Sequence, residues 1–320
     1  MTKHIAILLF CGLLGTALRA QQLPVFSQYT ELQTYLNPAA LPIDYWQYNR
    51  KLMAAISYRQ QWLGFEDAPS TGLAHVNLVR EDANPSVFGL LLLNDQVGPT
   101  GTTGFYGRYS YQLHPAVRGG DLYIGIGLSA GLVQHRLRAK DLQFDAGDFL
   151  QGTLAGKFLP DFGFGASFIY RPERGTKYYG GISMPQTAGL TAKFTDKNNS
   201  QVSIQQAAHI YLNGGAIFAA GQQGFFEPSF WLKYAPNVPL HLNLNVRQKF
   251  ANNFWIGAGY STSNAIHLET GLIFKKLLQL KNAILRVGYG FDYNISSYGG
   301  TFGTSHELTM SYAWNKKGDE

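Results

Sequence analysis

The sequence predicts an all-β protein, a transmembrane outer-membrane β-barrel that is antiparallel and up-and-down, with about 14 strands behind an N-terminal extension. Three observations predict it. The first is alternation. In Leu240–Arg247, the residues Leu240, Leu242, Leu244 and Val246 alternate with His241, Asn243, Asn245 and Arg247. An extended chain of that pattern has one apolar and one polar face. Leu285–Tyr293 repeats it, with Arg286, Gly288, Gly290 and Asp292 on the polar or small side, and Leu122–Leu132 repeats it again around glycines. The second observation is composition. Charged residues make up 14% of the 320, against roughly 25% in a typical soluble domain. With 36 Gly, 19 Tyr and 21 Phe, the chain fits a barrel with aromatic girdles and a small-residue interior. A soluble β-sandwich fits less well, because its surface needs more charge.

Connection lengths are the third observation. Strand-length segments run over 51–58, 73–80, 87–94, 104–112, 122–134, 163–171, 178–184, 207–219, 225–234, 239–250, 253–262, 266–275, 283–294 and 305–314. Most approach the roughly 9–11 residues that cross a bilayer at a tilt. No amphipathic helix of useful length separates them, which excludes a parallel sheet. Counted in order, the even connections are short, whereas the odd ones include the long 59–72, 135–162 and 185–206. An up-and-down barrel puts alternate connections on one side, with short periplasmic turns and longer outer loops. The parity therefore predicts an even-stranded barrel whose N-terminus starts on the periplasmic side. Lipid is then the partner of the apolar faces, since only a closed barrel leaves no unpaired edge in hydrocarbon. No apolar run of about 18 residues lies in the body of the chain, so a helical membrane bundle is excluded.

Residues 1–20 read as a signal peptide: Lys3 and His4, the apolar Ile5–Leu18, then Leu18-Arg19-Ala20 before Gln21. Arg19 is unusual at that place, and the apolar run is short for a membrane anchor. Cys11 is the single cysteine and lies inside this run behind Phe10, which is not a lipoprotein arrangement. Disulfide and thiol chemistry are thereby excluded from the mature chain. Residues 21–50 form the N-terminal extension, carrying Phe26-Ser27-Gln28-Tyr29, Asn37-Pro38-Ala39-Ala40 and Tyr45-Trp46-Gln47-Tyr48. Pro24, Pro38 and Pro42 argue against a long helix or a central strand. The aromatics argue against a disordered tail. The expectation is a segment packed in the lumen or across the barrel mouth. The barrel takes residues 51–314. In its final strand Leu308, Met310, Tyr312 and Trp314 alternate with Glu307, Thr309, Ser311 and Ala313, as in an outer-membrane insertion signal. A polar tail follows at 315–320. The net charge of +6 is spread without a basic block, which argues against nucleic acid as a partner.

Candidate chemistry is sparse. Gly127-Leu128-Ser129-Ala130-Gly131 matches a nucleophile elbow, but that motif needs a sharp strand-to-helix turn. Here alternation runs straight through Ser129, which reads as a lumen-facing strand residue. His267 and Glu269 share a strand face and His306 adjoins Glu307, yet two such groups without a third ligand do not make a metal site. No carboxylate pair has spacing that specifies acid–base work. The expectation is a non-enzyme with no catalytic, cofactor or metal residues. The connection 59–72 stands apart, with Arg59, Gln61, Trp62, Gly64, Phe65 and Pro69. Arg59 can donate two bonds to a carboxylate, Gly64 lets the chain turn between the two rings, and Pro69 stiffens the return. These features predict an ordered element folded inward at the extracellular mouth, a plug or partner-binding loop, against a girdle Trp on a solvated loop.

Tyr58-Arg59-Gln60-Gln61-Trp62-Leu63-Gly64-Phe65 followed by Ala68-Pro69-Ser70-Thr71 resembles the hallmark of the PorP/SprF family, outer-membrane proteins of the type IX secretion system of Bacteroidota. Phe26-Ser27-Gln28-Tyr29 with Asn37-Pro38-Ala39 agrees, as does Asn94-Asp95-Gln96-Val97-Gly98-Pro99. So do Leu159-Pro160-Asp161-Phe162-Gly163, Pro228-Ser229 with Lys233-Tyr234, Phe254-Trp255-Ile256-Gly257, Gly288-Tyr289-Gly290-Phe291-Asp292-Tyr293 and Ser305-His306-Glu307-Leu308. The resemblance covers essentially the whole mature chain. It implies an outer-membrane barrel of a Gram-negative bacterium, without catalytic residues or cofactor. It further implies support for secretion or surface attachment of adhesin-type cargo with a C-terminal sorting domain and, in some members, gliding motility. Implied partners are outer-membrane lipid, that cargo, and other type IX components, among them a peptidoglycan-associated periplasmic protein. Asp95, Gly98 and Pro99 join the connection 59–72 as candidate partner-binding or plug residues, with Ser27, Gln28, Tyr29, Asn37 and Pro38 as the N-terminal motif. The competing expectation is a passive or gated pore for small solutes, since about 14 strands lie between filled barrels and open porins. A barrel hydrolase lacks the nucleophile geometry.

Overall fold

A computed structural model describes residues 25–138, 153–185, 187, 189, 191–195, 201–205, 207–221, 224–251, 253–275, 283–296 and 303–315. The leader expected at 1–20 and most of the expected tail fall outside them. Two short helices come first, α1 (Gln33–Leu36) and α2 (Ile43–Tyr48). The strands follow: β1 (Leu52–Gln60), β2 (Ser70–Arg80), β3 (Ser86–Val97), β4 (Thr100–Leu113), β5 (Ala116–Val117), β6 (Gly120–Arg138), β7 (Thr153–Ala155), β8 (Leu159–Pro172) and β9 (Lys177–Met184). Then come β10 (Thr191–Thr195), β11 (Gln201–Gln205), β12 (Ile210–Ala220), β13 (Gly224–Tyr234), β14 (His241–Lys249), β15 (Phe254–Ser261), β16 (Ala265–Phe274), β17 (Ala283–Asn294) and β18 (Thr304–Trp314).

Fourteen of these strands close an antiparallel barrel, with β5, β7, β10 and β11 outside the count. Each barrel strand pairs with its neighbour in the chain, and β1 closes on β18 in the register Leu52↔Trp314 to Gln60↔His306. Closure satisfies both backbone edges, which an isolated sheet would leave open. Alternation sets the two faces. In β14, Leu244 is 48% exposed on the outside while Asn243 is 2% exposed on the inside. Tyr289 likewise points out, and Arg286 and Asp292 point in. β10 and β11 form a hairpin between β9 and β12, and Ala192 and Phe194 of β10 pack on Leu137 and Leu154.

Boundaries differ from the sequence reading at several strand ends. β3 and β4 run on until only Gly98 and Pro99 separate them, so Asp95 belongs to a strand and not to a loop. Polar residues at 94–96 and the Thr-Gly-Thr-Thr run at 100–103 obscure the apolar alternation there, yet they still pair in register. The C-terminal ends of β1, β3, β6 and β9 share one end, hereafter the far end, and the N-terminus of β1 marks the near end.

The core lies in the lumen. Residue 25 borders the far mouth, and the chain then descends to Trp46, whose carbonyl accepts from Arg171 at the near end, 2.8 Å away. On the way Phe26 and Leu32 pack with Leu73 and Leu93. Tyr29 and Leu36 pack with Tyr211 and Trp231. At the near end Leu41, Ile43, Tyr45 and Trp46 meet Val79, Val87, Tyr123 and Ile169. The prolines explain the shape: Pro38 and Pro42 allow only short helices, and α2 starts right after Pro42 and stops at Asn49, whose φ of 53° is left-handed.

Candidate functional site

The N-terminal segment is fastened to the wall in three tiers. The uppermost is built by Ser27 and Gln28. The Ser27 N–H donates to Glu307 Oε2 at 2.7 Å, and its hydroxyl donates to the Asp292 carboxylate at 2.6 and 2.8 Å. Arg59 contacts Ser27 Oγ and Asp292 closely and reaches Glu307 at 3.4 Å. His267 completes the group through Nδ1 to Asp292. Thr309 donates to Gln28 Oε1 at 3.1 Å. Side chains from β1, β16, β17 and β18 thus converge on two residues of an irregular segment.

The middle tier is an ionic bridge. Glu31 accepts from Arg247 and from Arg286, two strands of wall that it ties together. Arg247 also holds Glu269 at 2.8 Å and Thr30 at 2.6 Å, while Arg286 reaches Asp44 at 2.8 Å. Burial alone would raise both carboxyl pKa values. At Glu31 the paired guanidinium groups of Arg286 and Arg247 outweigh burial and hold its carboxyl below the usual range. At Asp44 burial prevails over Arg286, and the carboxyl is pushed up. The charges are therefore sequestered in a low-dielectric network whose partners are nearly all spoken for.

The lowest tier seats Asn37-Pro38-Ala39. Asn37 Nδ2 donates to the Ala166 carbonyl at 2.9 Å. Arg108 donates to the Pro38 and Ala40 carbonyls at 3.0 and 3.1 Å. Ser110, Gln112 and Ser167 all donate to the Ala39 carbonyl, at 3.0, 2.8 and 2.9 Å. The wall opposite is glycine. A Cβ on Gly127 would collide with the backbone of Pro38 and Ala39, and one on Gly165 would collide with Asn37 Oδ1. The small-residue faces of β6 and β8 are thus a seat for the segment.

The second feature is the rim at the far end. Gln61 N–H donates to the Pro69 carbonyl at 2.8 Å, closing the loop between β1 and β2. Leu63 N–H donates to the Thr304 carbonyl at 2.8 Å, which draws the loop onto the edge of β18. Arg138 then joins two loops, donating to Asp67 at 2.6 Å and to the Gly98 carbonyl at 2.8 Å, while its own N–H reaches the Pro99 carbonyl. Asp95 lies below this rim, 2.6 Å from the Thr71 hydroxyl.

The expected inward fold of 59–72 is corrected here. Arg59 is buried among carboxylates, and Pro69 is buried, but Trp62, Leu63 and Phe65 are 37%, 45% and 42% exposed around Gly64 at the loop tip. The lumen is already occupied by the N-terminal segment, and the bond to Thr304 holds the tip on the rim. The structure therefore separates residues that the sequence grouped. Arg59 joins Ser27 and Gln28. Gln61, Trp62, Gly64, Phe65, Gly98 and Pro99 belong to the rim. Tyr29 bonds Ser229 at 2.9 Å, and Asn37 and Pro38 sit deep. Glu31, Asp44, Arg108 and Arg138 were not singled out in the sequence. Glu31 and Asp44 carry a visible trace, as acids inside a segment that is otherwise aromatic and amide-rich.

Several motifs noticed separately in the sequence are parts of one network. Asp292 from Gly288–Tyr293 and Glu307 from Ser305–Leu308 are the acceptors of Phe26–Tyr29. Ser129, Glu269 and His267 take structural places: Ser129 stands in β6, and the other two pair with Arg247 and Asp292.

A family model described as "Type IX secretion system membrane protein PorP/SprF" matches residues 18–312. No curated protein matches the chain. Among solved structures it is similar to the Ralstonia pickettii toluene transporter TbuX, at 10% identity and a TM-score of 0.55, over 88% of this chain and 93% of that one. It is also similar to a deltaS2S3 mutant of the TodX monoaromatic hydrocarbon channel, at 10% identity and 0.54, over 88% and 94%. The CymD monoaromatic hydrocarbon channel is similar at 9% identity and 0.54, over 90% and 94%. At these identities the likeness is one of barrel fold.

Proposed function

The chain belongs to the PorP/SprF family of type IX secretion system membrane proteins, and on that premise we propose that it is a closed outer-membrane barrel that holds a partner protein at its far mouth. The observation that carries this reading is the lumen: residues 25–48 run through it from end to end and are tied to the wall by buried ion pairs. A barrel whose channel is filled in this way serves as a platform. The far end is the extracellular one, and the near end faces the periplasm, following the rule that longer connections lie outside.

The partner is a secreted, adhesin-type cargo protein with a C-terminal sorting domain, retained at the surface and, in gliding cells, used for motility. Its contact is the rim, where Trp62, Leu63 and Phe65 stand exposed beside the turn Gly98-Pro99. Aromatic residues in a fixed loop are the usual anchors of a protein interface. Other secretion components, among them a peptidoglycan-associated protein, meet the near end. Affinity purification of the tagged barrel from outer membranes tests this: cargo is expected to co-purify with the wild type and to be depleted with Trp62→Ala. Planar-bilayer recording separates it from the solute-pore alternative, because the filled lumen should give no steady conductance. A steady open channel in the intact protein would overturn the reading.

A further inference from the structure

We propose that the far mouth contains a binding site for a small organic anion, a singly charged carboxylate head on a short apolar chain. A cavity of about 260 Å³ lies there between Val25 of the N-terminal segment and the ends of β12, β13 and β14. Three basic side chains line it, His209, Lys233 and His241, together with Tyr211. No Asp or Glu lines it among the described residues.

Lys233 is the centre of the argument. It is 9% exposed, and its ammonium lies 4.3 Å from the ring centroid of Trp231. No carboxylate or carbonyl among the described residues bonds it. The charged group acting on it through space is a second cation, Arg59, which is already engaged by Asp292 and Glu307. Elsewhere in this lumen the buried cations Arg59, Arg247 and Arg286 each have a carboxylate, and Arg108 has the Asn77 amide oxygen and two backbone carbonyls, so each has an oxygen acceptor. A buried ammonium held only by an aromatic face departs from that rule, and an unpaired buried charge is destabilising.

Two neighbouring polar atoms lack partners among the described residues too. Ser263 N–H donates to Ser261 Oγ at 3.3 Å, and Nε2 of His241 lies 2.8 Å from the same oxygen. Nδ1 of His241 is buried without a partner among the described residues. The Tyr211 hydroxyl is also buried without a partner. An ammonium, an imidazole edge and a phenol O–H face this space, and no carboxylate among the described residues lines it to match the ammonium. The one formally fixed positive charge suits a monoanion, and the walls contributed by Val25, Val238 and Leu240 suit a hydrocarbon body.

The test uses the purified full-length barrel in detergent, with hexanoate, hexanamide and inorganic phosphate as probes at constant ionic strength. Hexanoate should raise the unfolding midpoint saturably, as a ligand of the folded state does. The neutral hexanamide should not, and phosphate should be weaker for want of an apolar body. Lys233→Met should fold with an unchanged or higher midpoint and lose about tenfold or more in hexanoate affinity. Tyr211→Phe gives a second variant that keeps the ring and should weaken binding by a smaller factor. Equal shifts with hexanoate and hexanamide would overturn the site, as would undiminished hexanoate binding in both variants. Phosphate binding as tight as hexanoate would overturn the organic body of the ligand.

Discussion

Two irregular stretches of this chain carry aromatic motifs, and they end in opposite environments. Residues 25–50 place Phe26, Tyr29, Tyr45 and Trp46 in the lumen at 6% exposure or less. The loop 61–69 leaves Trp62 and Phe65 exposed at the rim. Ring content does not distinguish them. What differs is the wall each one meets. The N-terminal segment faces glycines that admit its backbone and charged groups matched to Ser27, Glu31 and Asp44. The loop meets the rim through few bonds, from Leu63 to the Thr304 carbonyl, from Trp62 N–H to the Ser305 hydroxyl, and from Arg138 to Asp67 in a partly exposed pair. Burial here follows from complementary partners in distant strands, and hydrophobicity of the segment alone does not determine it.

The largest effect should come from breaking the ionic bridge. Arg247→Met leaves Glu31 and Glu269 each short of a buried partner, which typically destabilises by about 3–5 kcal/mol. The matched change at the rim is Arg138→Met, whose pair with Asp67 is partly exposed on both sides, so that its loss should amount to about 1 kcal/mol or less. Urea unfolding of both variants in the same detergent checks the contrast. Equal losses would mean that the lumen segment is no better fastened than the loop.

Next comes the seat. Gly127→Val places a side chain where the Pro38–Ala39 backbone runs, an overpacking of about 1–3 kcal/mol. The segment should then lift while the barrel stays closed. Ala39→Cys is expected to resist maleimide in an otherwise wild-type barrel and to label readily beside Gly127→Val, because Ala39 is fully buried. Labelling that is the same in both backgrounds would show that the segment tolerates the intrusion.

A smaller effect follows from pH. The Glu31 carboxyl is held below its usual range, so its folded value lies under its unfolded one. Its contribution is present above the unfolded value and fades as pH falls through the folded one. Glu31→Gln removes that dependence. The midpoint of the variant should therefore fall less than that of the wild type on acidification below the ordinary glutamate range, and parallel curves would show that Glu31 is not the linked group.

The outward face of the barrel was fully legible in the sequence. Leu244 and Tyr289 follow from period 2, and closure follows from parity, because both are local rules repeated in every strand. The strand ends at Asp95 and at 100–103 were less legible, since polar residues near the rim pair just as well as apolar ones. The lumen was legible by halves. Arg286 and Asp292 could be assigned inward, but their partners lie more than two hundred residues away in the N-terminal segment. Nothing in one sequence sets which buried acid meets which buried base. The inward fold expected for Trp62 and Phe65 failed for the same reason: the sequence did not reveal that the space was already taken.

The rim should respond least in stability and most in partner binding. Trp62→Ala removes a ring that is about one-third exposed, at 37%, and surface changes of this kind usually fall within about 0.5 kcal/mol. Truncating an aromatic anchor at an interface typically weakens binding by about 2 kcal/mol or more. The two readouts therefore part company at this residue, unlike Arg247, where both should fall together. Surface display of the cargo, measured beside the unfolding midpoint of the purified barrel, gives the answer. A normal midpoint with display reduced about thirtyfold would assign Trp62 to recognition. A normal midpoint with normal display would make the ring part of the aromatic girdle at the membrane surface, and the partner contact would have to move along the rim towards Gly98 and Pro99.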